Sequence, residues 1–102
     1  MTEAQFRVTA DADGEPVVVA SGDIDLANVN DFQAVMTDAA AGTPALTVDL
    51  TALTYCDSAA VRALFAVAAM TEVTMLVRTN GPIKTLLAIS GLDRVAAVVD
   101  RD

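Results

Sequence analysis

The chain has 102 residues, which suits one domain over residues 1–102 and leaves no room for a second core. Hydrophobic residues make up 54% and the mean hydropathy is +0.49, so a packed core is readily supplied and disorder is excluded. Fourteen acidic residues stand against six basic ones, a net charge of -8, which argues against direct nucleic-acid binding and adhesion to anionic membranes and steers basic proteins toward the chain.

From Phe6 the run Phe6-Arg7-Val8-Thr9-Ala10 alternates apolar and polar residues and predicts a half-exposed edge strand. Asp11 to Glu15 has turn chemistry, with Gly14 able to take positive φ. Pro16 to Ala20 is continuously apolar and predicts a second strand, antiparallel to the first and buried on both faces, with Gly22 breaking the run. Helical spacing of Val29, Phe32, Met36 and Ala39 predicts a helix over about 28–41. Asn28 serves as its N-cap, Asp31 favours the positive end of its dipole, and Gly42 and Pro44 end it.

Leu46, Val48 and Leu50 alternate in a third strand, after which a loop leads to Asp57-Ser58. A second helix places Val61, Leu64, Phe65 and Ala68 on one stripe. Thr74 to Val77 predicts a fourth strand, and Asn80-Gly81-Pro82 turns into a third helix with Ile83, Leu86 and Leu87 inward. Gly91 sits where a C′ glycine closes that helix, Leu92 packs back on it, and Val95 to Val99 reads as a last strand. The order β-β-α-β-α-β-α-β implies an α/β fold: a mainly parallel sheet with an antiparallel N-terminal edge pair and helices packed on it.

With no histidine, Ser-His-Asp and Cys-His catalysis and most zinc sites fall away together, so neither an enzyme nor a cofactor is expected. The lone Cys56 cannot form an internal disulfide, in keeping with a reducing cytoplasm. It reads as a small buried group, a redox role being the lesser alternative. The longest apolar run, Ala63 to Met70, is 8 residues against the roughly 20 of a spanning helix, so no membrane insertion is expected. The N-terminus lacks the pattern of a secretory signal, and abundant Ala and Val with one lysine suits a high-GC bacterial source. Leu53 and Tyr55 are expected to anchor the loop before Asp57 in the core, and Met70 and Met75 to fill core gaps.

The informative stretch runs from Val48 to Leu64. An Asp-Ser pair opening a helix puts Ser58 beside unsatisfied backbone N–H groups at the positive end of the helix dipole, where a phosphate is tolerated. Taken alone, Asp57-Ser58 is also an ordinary capping pair, and spacing does not choose between the two readings.

Three segments together resemble the STAS domains of the anti-sigma factor antagonist family. They are Gly22-Asp23-Ile24-Asp25, then Val48-Asp49-Leu50 followed by Tyr55-Cys56-Asp57-Ser58-Ala59-Ala60, and Leu87-Ala88-Ile89-Ser90-Gly91-Leu92. The resemblance implies the STAS fold and a partner-switching role. The unphosphorylated antagonist binds an anti-sigma factor that is also a serine kinase and so frees a sigma factor. Phosphorylation of the serine opening the second helix, here Ser58, ends the interaction, and a serine phosphatase restores it.

The partner-binding residues implied are Asp23, Asp25, Asp57, Ser58, Ala59 and Arg62, the last answering Asp57 or a phosphate, or else standing as a solvated face. Where the family has a small hydroxyl residue and a glycine, this chain has Ala59 and Ala60. Ala59 removes a neighbouring acceptor, and Ala60 brings a Cβ to a place where a partner backbone is expected to approach. Two rivals stand beside this reading. One is a receiver domain with Asp57 as phospho-acceptor, disfavoured because the only lysine, Lys84, begins a helix. The other is a STAS scaffold or transporter-associated subunit whose Ser58 is never phosphorylated.

Overall fold

The structure is a computed structural model and describes residues 3–101. Five strands, β1 (Ala4–Ala10), β2 (Pro16–Ile24), β3 (Ala45–Cys56), β4 (Glu72–Arg78) and β5 (Ala97–Arg101), form one sheet in the order β1-β2-β3-β4-β5. The β1–β2 pair is antiparallel and the other pairs are parallel. Helices α1 (Val29–Ala40), α2 (Ser58–Ala68) and α3 (Pro82–Ser90) fill the crossovers, and a 3₁₀ turn (Leu92–Arg94) precedes β5.

This strand order has a geometric consequence. Each parallel crossover steps the same way across the sheet, and right-handed connections that all step one way put their helices on one face. The burial pattern agrees: Val18, Ala20, Leu46, Val48, Leu50, Val73, Met75 and Val77 form one core with the inner stripes of the helices. Phe6 of the edge strand closes that core by stacking on Phe32, ring centroids 5.3 Å apart.

The alternate residues Val17, Val19, Thr47, Thr74 and Leu76 lie outside that core and are only half-buried. The expectation that β2 is buried on both faces therefore fails. A continuous apolar run reads as two-sided burial when helices cover both faces, and sequential order covers only one.

Local chemistry explains the remaining boundaries. Gly91 ends α3 in the left-handed conformation at φ 86, and Leu92 is fully buried behind it, as the C′ glycine reading requires. Asn28 occupies the N-cap position of α1 without capping it by side chain. Two strands run beyond their predicted ends: β2 continues through Gly22 to Ile24, and β3 through the expected loop to Cys56. The last strand starts later than expected, because Leu92 to Arg94 takes a 3₁₀ turn first.

The extension past Gly22 depends on that glycine. It sits at φ +86, and a Cβ there would collide with the Glu3 carbonyl oxygen while lying 3.2 Å from the Ala4 Cα. Of the methionines, Met36 and Met75 are fully buried, whereas Met70, expected in the core, is 55% exposed two residues past the end of α2.

Candidate functional site

Register brings the two informative segments side by side at the carboxyl ends of β2 and β3. Asp23 pairs with Tyr55 and Ile24 with Cys56, so the Gly22–Asp25 segment runs directly alongside the approach to Asp57. Thr54 Oγ1 donates a hydrogen bond to Asp23 Oδ1, joining the segments through their side chains as well. The Asp23 N–H donates to the carbonyl of Glu3, the residue just before β1, at 2.8 Å, and Ala4 of β1 pairs with Gly22, so the segment is held from its other side as well.

Asp25 and Asn28 build the entry to α1. Asp25 Oδ1 accepts from the Ala27 N–H at 2.8 Å, and Asn28 Oδ1 accepts from the Asp25 N–H at 3.0 Å. Asn28 Nδ2 donates to the Asp23 carbonyl at 2.9 Å. The amide of Asn28 thus ties the turn backward to β2 instead of reaching forward to the free N–H groups of α1. Its predicted capping role is corrected accordingly: two strong partners behind it outcompete the helix end.

Capping falls instead to Asp57 in α2. Its Oδ1 accepts from Ala59 N at 2.9 Å and from Ala60 N at 3.4 Å, and Ser58 stands exposed as the first residue of the helix. The division of labour is clear: aspartate satisfies the helix end, and the serine hydroxyl is left facing solvent in the field of that end.

Ala60 is 1% exposed and packs in the core. Ala59 is half-buried beside it. Arg62 is exposed one turn further and forms no salt bridge with Asp57, which leaves it as a solvated side chain.

Leu53 is buried as expected, but Tyr55 is 53% exposed. Continuation of β3 as a strand explains this: Tyr55 and Cys56 point to opposite faces, and Cys56 takes the core side. Burial, with a smaller contribution from neighbouring Asp57, pushes the Cys56 thiol up to about 11, which opposes a redox role. The sequence reading also passed over Leu26, 78% exposed in the turn after Asp25. Its signal was available, since an apolar residue in a turn falls outside the helical stripe that begins at Val29.

The receiver reading finds no support in this geometry. A doubly wound receiver sheet reverses its strand order and creates a crevice at the reversal, and this order has no reversal. Lys84 is paired with Asp100 of the edge strand at 2.6 Å. Among the described residues no cluster of three His, Cys, Asp or Glu is placed to hold a metal ion. Also among them, no helix is long and apolar enough to cross a membrane.

Comparison with known structures places the fold. An anti-sigma factor antagonist from Mycobacterium paratuberculosis superposes with a TM-score of 0.86 at 24% identity, over 97% of this chain and 87% of that one. The anti-sigma factor antagonist SpoIIAA, solved in its unphosphorylated form, gives 0.73 at 15% identity over 95% of this chain and 90% of that one. No characterised protein matches by sequence alone. The sequence model of the family STAS_2, described as "Mlab, STAS domain", matches residues 8–100. Nearly the whole chain is spanned by that match and the sheet has the fold of these neighbours, so the protein belongs to the STAS domain family.

Proposed function

We propose that this STAS domain is an anti-sigma factor antagonist that works by partner switching. Unphosphorylated, it binds an anti-sigma factor that is also a serine kinase and thereby releases a sigma factor. Phosphorylation of Ser58 ends the interaction, and a serine phosphatase resets it. The role is regulatory and not enzymatic, and its setting is the bacterial cytoplasm. The docking surface consists of Asp23, Asp25, Asp57, Ser58, Ala59 and Arg62, flanked by exposed Leu26 and Tyr55.

The observation that carries the reading is the exposed Ser58 hydroxyl on the first turn of α2, with Asp57 already serving the helix end. Phosphorylation adds about -1.5 to -2 charge at pH 7, which a helix N-terminus tolerates, so the fold survives modification. In the middle of an interface the same group must find cationic partners or lose its water unpaired, and the second case disfavours binding. Two solved structures of this fold are named as antagonists, which agrees with the reading.

The test is to incubate the chain with ATP and each purified anti-sigma factor kinase of the source genome, then map modified peptides by mass spectrometry. One kinase is expected to bind the unmodified chain, modify Ser58 and release it, and to stay bound to Ser58→Ala. Phosphate on Thr51, Thr54 or Asp57 with Ser58 unmodified overturns the assignment. Binding with no phosphate at all selects the scaffold or transporter-associated reading.

A further inference from the structure

Seven large apolar side chains are exposed among the described residues, and they divide by position. Val8, Met70, Ile89 and Val95 lie toward the amino ends of the parallel strands, and Val99 lies within β5. Leu26 and Tyr55 stand at the other pole, at the carboxyl ends of β2 and β3 where α2 begins with Ser58. Tyr55 keeps a hydroxyl for water, whereas Leu26 has no polar side-chain atom and is 78% exposed. A single exposed leucine on a loose loop calls for no explanation. This one is held in place. On one side of it the Asp25 N–H donates to Asn28 Oδ1 at 3.0 Å, and on the other the Ala27 N–H donates to Asp25 Oδ1 at 2.8 Å. The Asp25 carbonyl also accepts from the N–H groups of Asn28 and Val29, at 3.2 and 2.9 Å. Both neighbours of Leu26 are thus tied, and burying its side chain against a partner costs little further ordering.

Position and charge define what covers Leu26. Ile24 pairs with Cys56, so Leu26 and Ser58 each lie two residues beyond one register pair. Chain reach keeps their Cα atoms within about 19 Å of each other. A standard interface covers about 800 Å² on each partner, a patch roughly 30 Å across, and so spans both residues. The segments 22–32 and 54–62 that flank them hold four carboxylates, Asp23, Asp25, Asp31 and Asp57, against one cation, Arg62. A surface that takes in Leu26 meets this acidic ring and needs cations of its own around an apolar centre.

We propose that Leu26 is the apolar anchor of the docking surface and enters an apolar pocket, rimmed by lysine or arginine, on the anti-sigma factor kinase. Asn28 is its positioning residue. The inference rests on the partner-switching reading and adds to it the chemistry by which the partner is held. An anchor of this kind fills a desolvated pocket near the centre of an interface, and its truncation is costly where that of its neighbours is not.

The test titrates the purified full chain against each anti-sigma factor kinase of the source genome by calorimetry. Leu26→Ala is expected to weaken binding about tenfold to a hundredfold, the loss that follows from removing a buried leucine side chain. Its urea midpoint stays at the wild-type value, because the side chain is exposed in the free chain. With the chain as kinase substrate, the same variant raises KM and leaves kcat unchanged, the mark of an interaction made equally in ground and transition states. Leu26→Met retains most of the affinity, and Ile89→Ala, 80% exposed at the opposite pole, retains all of it. Asn28→Ala weakens binding in the wild-type background and not in Leu26→Ala, since positioning matters only while the anchor is present. Binding of Leu26→Ala as tight as wild type overturns the proposal and leaves the partner-switching reading standing, and so does an equal loss in Ile89→Ala. Additive losses from Asn28 and Leu26 overturn the positioning role. A kinase held through Leu26 that never modifies Ser58 upholds the anchor and overturns the phosphorylation switch. A wild-type chain that binds none of the kinases overturns both.

Discussion

Replacing Gly22 by alanine tests how the site is held together. Two penalties combine at this position. An L-residue in the left-handed region costs about 1–2 kcal/mol. The new Cβ also meets the Glu3 carbonyl oxygen, a backbone atom that has to move, and that oxygen accepts the Asp23 N–H at 2.8 Å. Losing or stretching one such hydrogen bond adds about 0.5–1.5 kcal/mol. The expected destabilisation is about 1.5–3.5 kcal/mol, a fall in Tm of roughly 6–28 °C for a domain of this size.

Gly14→Ala is the matched control, since Gly14 has φ +81 with nothing within 4 Å of its added Cβ. It carries the backbone penalty alone, about 1–2 kcal/mol. Urea unfolding monitored by circular dichroism measures both variants. Equal destabilisation of the two would refute the claim that Glu3 clamps the Gly22–Asp25 segment.

Asp57→Ala removes the side-chain cap of α2 and is expected to cost about 0.5–2 kcal/mol in urea unfolding, with Asp57→Asn retaining most of that stability. Asp25→Lys loses the bond to the Ala27 N–H, so it is expected to lower the unfolding midpoint as well as partner affinity. A variant that weakens binding at unchanged stability would separate the two effects. The Cys56 thiol, raised from 9.0 to about 11, favours its neutral form in the folded chain. Its contribution to stability is complete below pH 9 and is lost as pH rises through about 11, so the advantage of wild type over Cys56→Ala should shrink across that window. Lys84→Ala breaks an ion pair whose side chains are 40% and 39% exposed, and stability is expected to change by less than about 1 kcal/mol.

Element type and order were legible in the residues, because hydrophobic period, turn residues and helix stops are local. Val29, Phe32 and Met36 mark a helix by spacing alone, Leu46, Val48 and Leu50 mark a strand, and Gly91 marks a helix end. The motif resemblance located Ser58 at a helix start, and the structure places it there, exposed. Other features depended on neighbours distant in sequence. Thr54 reaches Asp23 across 31 residues, and nothing in either local segment signals that bond. Tyr55 and Cys56 are equally suited to the core by residue type, and the continuation of β3 as a strand separates them by sending adjacent side chains to opposite faces. Asn28 turned from cap to tie because Asp23 and Asp25 offered better partners. Whether Val17 and Val19 are covered was likewise beyond local reading. Composition shows that a strand is apolar, but the direction in which each crossover steps decides which of its faces a helix reaches.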